Sequence, residues 1–324
     1  MRWHSYKEYL EEKYHKRVYR IGVDAGFSCP NRDKNKGGGC AFCDGTGSVA
    51  TYQRRDESLF HHDSQYNSVV AEKNSIRVES IRKQIEKGRE FLTERYGAEA
   101  FALYLQSYTN TYDSIKNLER IYSEALSCGD FIEFIISTRP DEIDEERLDL
   151  IESFATPERQ VSIELGLQSA NDRTLERINR GHDLECYLKA AEMIKKRDIM
   201  LSTHVILGLP GEGDEDFVRT SRAVSLYSDF VKIHNLHITG GTRLAEEWRK
   251  GEVKLLSFDE YLDAVILFLR HLRKDIVIQR LISETPSHRL IAPRSFPDKS
   301  RFLSLLEAKM EEMDVFEGDL YETM

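Results

Sequence analysis

The chain has 324 residues, with 46 Lys and Arg against 56 Asp and Glu, a formal net charge of −10. Apolar residues make up 40% of it, enough for a sizeable core, so disorder is not the default reading. The longest apolar runs, 100–105 and 264–269, fall far short of the ~20 residues that span a bilayer, and the first residues lack the apolar stretch of a signal peptide. The expectation is a cytoplasmic protein with no membrane partner.

The first strand is predicted over 20–24, and a cysteine-rich loop follows it. Residues 53–73 are polar and without a period, and read as a long loop. Further strands are predicted over 100–105, 131–137, 161–165, 201–207 and 231–236. Helices are predicted between them over 78–96, 114–127, 145–154, 170–178, 184–196 and 215–227. Apolar strands joined by helical crossovers imply a parallel sheet, here a barrel-like or open (β/α)6 arrangement. A helix over 257–272, a strand-like run over 276–281 and a helix over 300–313 complete the chain.

Charge is uneven along this order. Residues 307–324 hold seven acids and one base, read as a solvated acidic end, whereas residues 1–40 carry nine bases and five acids. The bases Lys13, Lys16, Arg17, Arg20, Arg32, Lys34 and Lys36 are read as bordering the cysteine loop, either solvated or meeting phosphate.

That loop is Cys29-Pro-Asn-Arg-Asp-Lys-Asn-Lys-Gly-Gly-Gly-Cys40-Ala-Phe-Cys43. A local thiol triplet points to metal rather than disulfides. Structural zinc needs four ligands, and His61 or His62 could complete such a site. Catalytic zinc keeps an open position, but three thiolates are an unusual set for it. An iron–sulfur cluster with three Cys ligands leaves one iron for a non-protein ligand. Phe42 and the lack of a fourth nearby Cys favour the cluster.

Other motifs stand in order after the loop: Gln106-Ser-Tyr-Thr-Asn-Thr111, Ser137-Thr-Arg-Pro-Asp141, Glu164-Leu-Gly-Leu-Gln168-Ser169, Ile178-Asn-Arg-Gly-His-Asp183, Gly208-Leu-Pro-Gly-Glu-Gly213 and His234-Asn-Leu-His237. With Gly26-Phe-Ser-Cys29-Pro-Asn-Arg-Asp33 and Gly39-Cys40-Ala-Phe-Cys43, they make the chain resemble the radical S-adenosylmethionine (SAM) superfamily. Within it the likeness is to the YhcC-like branch, related to the radical domain of the elongator catalytic subunit. It covers roughly residues 1–295. Most of the superfamily uses C-x3-C-x2-C; the ten residues between Cys29 and Cys40 match the longer spacing of this branch.

The resemblance implies an α/β fold, a partial (β/α)6 TIM-type barrel over residues 1–240. Residues 241–324 form a C-terminal helical and strand extension closing it, with an acidic tail over 307–324. It implies a [4Fe–4S] cluster on Cys29, Cys40 and Cys43, its fourth iron chelated by SAM. Reductive cleavage would then give a 5′-deoxyadenosyl radical that abstracts hydrogen from a substrate. The cofactor-binding set it implies is Gln106, Ser107, Thr138, Glu164, Gln168, Arg180 and His204. Gln106 matches a residue that holds the methionyl amino group, Gln168 one that meets the ribose, and Arg180 one that meets the methionyl carboxylate. His204 stands where an acidic ribose ligand is found in oxygen-independent coproporphyrinogen oxidase.

The glycine run 208–213 lacks the Lys-Ser/Thr ending of a phosphate loop and reads as a sharp turn near the adenine. Period-two spacing places at most one of His234 and His237 at the barrel mouth. A wobble uridine in tRNA is the expected substrate, with an electron donor such as flavodoxin or ferredoxin. The alternatives are a radical enzyme on a small molecule, or a zinc-stabilised, non-catalytic RNA-binding module.

Overall fold

The computed structural model describes residues 1–32, 38–45 and 74–322. Its centre is one parallel sheet whose strands follow the chain: β1 (Val18–Val23), β2 (Ala100–Leu105), β3 (Glu133–Thr138), β4 (Gln160–Gln168), β5 (Met200–Leu207) and β6 (Phe230–Asn235). After a two-residue strand β7 (Ile238–Thr239), a seventh parallel strand, β8 (Val277–Arg280), pairs with β6. The run predicted at 276–281 therefore extends the sheet. Strand β9 (Leu290–Ala292) pairs antiparallel with β7.

Alternation along the strands sorts two environments. Ile21, Leu103, Phe134, Ile163, Leu201 and Val231 are buried against the outer helices. The other face carries Arg20, Tyr104, Glu164, His204 and Lys232. Tyr104 on β2 donates to Glu164 on β4 at 2.6 Å, and Lys232 on β6 bonds the same carboxylate. Contacts between strands that are not neighbours require the sheet to curl, so the structure is a half-barrel with a polar interior.

The outer helices are α2 (Asn74–Tyr96), α3 (Ile115–Leu126), α4 (Glu145–Glu152), α5 (Asp172–Arg177), α6 (Leu184–Lys195), α7 (Asp214–Tyr227), α8 (Arg243–Arg249), α9 (Phe258–His271) and α10 (Lys299–Glu312). Side chains cap their starts as the sequence leads one to expect: Ser114 accepts from the Asn117 amide and Asp183 from that of Cys186. Helix α1 (Tyr6–Tyr14) precedes the barrel and was not anticipated, although Ser5 and Glu8 form the S-x-x-E start signal. Its Tyr6 and Tyr14 hydroxyls donate to Glu133 at 3.2 and 3.0 Å, at the N-terminal end of the strands.

The acidic end is docked rather than solvated throughout. Glu317 is buried and accepts from the His4 amide at 2.7 Å, and Asp319 pairs with Arg270 at 3.0 Å. No described helix is long and apolar enough to cross a membrane.

Candidate cofactor site at the carboxyl ends of the strands

Strand β1 ends at Val23 and delivers the cysteine loop to the carboxyl edge of the sheet, where parallel α/β folds bind ligands. The loop is stitched to its surroundings by backbone bonds. The Ala41 amide donates to the Ile178 carbonyl at 2.8 Å, and the Leu244 amide to the Ala41 carbonyl at 3.0 Å. Asn179, in a left-handed conformation, donates from its side chain to the Gly39 carbonyl at 2.8 Å. Gly39 itself has φ +102°, a region that strains any residue with a Cβ. Arg289, from the C-terminal extension, grips Asp44 next to Cys43.

Cys29, Cys40 and Cys43 rim one cavity of about 400 Å³. Asn31 donates to the Cys40 sulfur at 3.4 Å, and Arg180 Nη1 approaches it at 3.6 Å. Facing the loop across the cavity are Gln106, Thr138, Gly166, Gln168, Arg180 and His204. The Arg180 guanidinium is fixed by a 2.8 Å bond from Nη2 to the Gly166 carbonyl. A Cβ on Gly166 would lie 2.6 Å from that nitrogen and 2.7 Å from Gln168 Nε2, so a larger residue would displace both side-chain ends from these positions. Gln168 stands at φ 76° beside a register shift in β4, which turns its amide out of the strand's alternation.

Seven residues lining this cavity carry a buried polar atom with no partner among the described residues: Arg32 Nη1, Gln106 Nε2, Thr109 Oγ1, Arg139 Nη1, Arg180 Nε, His204 Nε2 and Thr239 Oγ1. A buried polar atom without a partner is costly, and seven around one cavity, three of them on arginines, point to a polar, partly anionic occupant. They suit the carboxylate, amino and ribose groups of SAM, and the three thiols suit a cluster. Burial pushes His204 down to about 3; Glu164 opposes that shift, and Lys232, Arg280 and Arg180 reinforce it. Its imidazole is neutral at ordinary pH, a hydrogen-bonding rather than a charged group.

Two of the anticipated residues stand elsewhere. Ser107 is fully buried and lies outside the cavity lining. Glu164 also lies outside it, one inward step below Gly166. Burial alone would raise its carboxyl, but Lys232, His204 and Arg20 hold it down to about 2. It serves as a cross-barrel tie. The histidine expectation is corrected too, since His234 and His237 both line the cavity. Strand β6 ends at Asn235, so its alternation no longer governs residue 237. Both His237 ring nitrogens are bonded, to Thr285 at 2.6 Å and Asn235 at 2.7 Å.

Gly208 and Gly211 have φ of +86° and +90°, as a sharp turn requires, but the run 208–213 stays out of the cavity lining. The basic set is dispersed. Arg17 pairs with Glu99 below the sheet, Arg20 is held inside the barrel by Glu164, and Arg32 reaches the cavity, stacked 4.6 Å over Tyr108. Lys34, Lys36, His61 and His62 lie outside the described residues. Residues that the sequence reading missed include Asn31, Lys232, Arg280 and Arg289. Asn31 alone had a local signal, its position two residues after Cys29.

A parallel half-barrel with a three-cysteine loop after its first strand, and orphaned polar groups over its carboxyl end, defines an enzyme class built to hold a cluster and a charged nucleoside cofactor. Residues 29–224 match the Radical SAM superfamily and residues 228–312 the Radical_SAM C-terminal domain, so the chain belongs to that superfamily. Its branch is YhcC-like: Protein YhcC of Escherichia coli K12 is 31% identical, over 88% of this chain and 84% of its own length. MJ0486 of Methanocaldococcus jannaschii is 31% identical over 97% of this chain and 91% of its length. A tRNA uridine(34) acetyltransferase of Methanocaldococcus infernus is 30% identical over 40% of this chain and 24% of its length. The structure of Elp3 from M. infernus, lacking its N-terminus, superposes with a TM-score of 0.66 at 18% identity, covering 93% of this chain and 64% of that one. The protein is thus a radical SAM enzyme, and the family's cofactors are a [4Fe–4S] cluster and SAM. The zinc-stabilised, non-catalytic alternative falls with that assignment.

Proposed function

We propose that this enzyme remodels the side chain of a wobble uridine in tRNA. The observation that carries the reading is the position of the cysteine-rimmed cavity at the strand ends, with Arg32, Arg280 and Arg289 all among its lining residues. Cationic groups around an opening are what a phosphodiester chain needs to bring one nucleotide to a recessed site. The partial similarity to a tRNA uridine(34) acetyltransferase supports the same substrate class.

When bound, the cluster and SAM would supply one-electron radical chemistry at a C–H bond of the substrate. The chain supplies position. Cys29, Cys40 and Cys43 would hold the cluster; the Arg180 guanidinium, with its Nε unpartnered, would donate to the methionyl carboxylate; Gln106, Thr138, Gln168 and His204 would offer bonds to its amino group and ribose. An electron donor such as flavodoxin or ferredoxin and a reducing cytoplasm complete the proposal.

The test is a comparison of modified nucleosides in tRNA from cells with and without this protein. A wobble nucleoside that changes between the two, and is restored by wild type but not by Cys29→Ala, is the expected result. Unchanged tRNA, together with no tRNA retained on filters at low salt, refutes the substrate.

A further inference from the structure

Strand β8 brings an arginine to the cavity wall opposite the Arg180 side. Register sets Lys232 on β6 beside Arg280 on β8, and His204 on β5 beside Lys232. The wall then runs from Gly166 with Arg180, through His204 and His234, to Arg280. The two imidazole rings meet edge to face with centroids 4.0 Å apart, and His234 Nε2 lies 3.2 Å from Arg280 Nη1.

Arg280 is exposed and lines the cavity. Its neighbours do not neutralise it. Glu164 is spent on Lys232, Tyr104 and Arg20. Asp44 is engaged by Arg289, and Glu284, which also lines the cavity, makes no ion pair with Arg280 among the described residues. The surrounding burial keeps His234 and His204 neutral, with Arg280 adding to the effect on each. Arg20 and Lys232 thus take up the one carboxylate, and Arg280 faces the cavity with its positive charge in a planar donor fork.

In the proposed reading Arg180, on the cysteine side, takes the SAM carboxylate. We propose that Arg280 forms a second, separate anion subsite, and that the molecule transformed here carries a carboxylate or a phosphate that Arg280 binds beside His234. The proposal rests on reading the cavity as the radical site. It deepens the substrate assignment without depending on tRNA, because a base side-chain carboxylate and a nucleotide phosphate would both satisfy it.

The experiment uses the reconstituted, SAM-loaded protein under anaerobic conditions. Phenylglyoxal modification of Arg280 is read by peptide mass spectrometry, with exposed Arg249 as the internal reference. Inorganic phosphate, acetate and neutral acetamide are the probes. An anion at about four times its dissociation constant should slow Arg280 modification about five-fold, acetamide should not, and Arg249 should be unaffected. Protection by phosphate alone assigns a phosphate, protection by acetate alone a carboxylate, and protection by both the shared chemistry. Arg280→Met should abolish calorimetric binding of the protecting anion. Equal modification with and without both anions, no modification of Arg280 at all, or unchanged affinity in Arg280→Met overturns the proposal. Release of 5′-deoxyadenosine under reductant tests the radical site separately, and tRNA retention tests the tRNA reading. Each can fail while Arg280 still takes its anion.

Discussion

Arg180 bridges the two halves of the site: Nη2 is fastened to the Gly166 carbonyl at 2.8 Å, and Nη1 reaches the Cys40 sulfur at 3.6 Å. One guanidinium therefore couples the strand β4 wall to the cysteine loop. Its Nε has no partner among the described residues. Arg180→Met keeps the stem and removes the donors. With all three cysteines intact, the cluster should still assemble, giving its visible absorbance. SAM affinity should fall roughly 10–100-fold, the range for loss of a charge-assisted, partly buried bond. Equilibrium dialysis of SAM against the reconstituted variant measures it, and an unchanged affinity would assign Arg180 a purely structural role.

A different prediction concerns the barrel interior. Lys232 is 4% exposed and Glu164 2%, so each is the other's main compensation. Lys232→Met should destabilise the apo protein by ~3–5 kcal/mol, because it strands a buried carboxylate whose remaining partners are the neutral Tyr104 hydroxyl, Arg20 at 3.9 Å and His204. The double variant Glu164→Leu with Lys232→Met should recover a large part of that loss. Urea unfolding midpoints of the three proteins decide it; a double variant no more stable than the single one sinks the argument. The pH dependence follows from Glu164, whose folded-state carboxyl is held below its ordinary value. Its contribution is present above about pH 4.5 and is lost as pH falls toward 2.

How much of this was legible in the sequence depends on the range of the interaction. Strands β2 to β6 announce themselves as short apolar runs, and the cysteine loop as a thiol triplet, because both are local patterns. The curl of the sheet is not local. The Glu164–Lys232 tie joins residues 68 apart, and nothing near Lys232 distinguishes it from an exposed lysine. Arg280 is hidden for a similar reason, since it lies on a four-residue strand from the C-terminal extension. The basic set illustrates the opposite error. Lys13, Arg17 and Arg32 look clustered in sequence, yet the six residues of β1 carry the chain about 20 Å from one end of the barrel to the other.

The junction of the chain's two ends gives a prediction in pH. Glu317 is buried, its Oε2 accepting from the His4 amide and its Oε1 without a partner. Burial raises its carboxyl to about 8, opposed by the His4 bond and aided by Asp275. A carboxyl raised on folding binds its proton more tightly in the folded state. Stability therefore falls as pH climbs from about 4.5 to 8, then levels off. Glu317→Gln keeps an acceptor for His4 and removes the titration. Wild type should lose on the order of 3 kcal/mol across that window from this group, and the variant should not. Thermal melts at pH 5.5 and 8.5 should show the gap between them narrowing by roughly 5 °C or more in Glu317→Gln. An equal gap in both proteins would show that this carboxyl ionises freely.

The last prediction returns to the cysteine loop and to Arg289, which holds Asp44 through both Nε, at 3.0 Å, and Nη2. Asp44 directly follows Cys43, so this fork fixes the third thiol from a segment nearly 250 residues away in sequence. The strand pair β7 and β9 supports it, the Gly240 amide donating to the Arg289 carbonyl at 3.1 Å. Arg289→Ala leaves every cysteine in place and should not prevent cluster assembly. It should shorten the cluster's lifetime, because Cys43 then loses the tie at Asp44 and its loop keeps only weaker holds on either side, among them those at Gly39, Cys40, Ala41 and Gly45. Residues that orient metal ligands without touching the metal commonly change affinity about 10–100-fold when removed. The measurement is the rate at which a chelator bleaches the cluster's absorbance under anaerobic conditions. Faster bleaching in Arg289→Ala, partly reversed in Arg289→Lys, is the expected order. Identical rates in all three proteins would mean that the loop is held without Arg289.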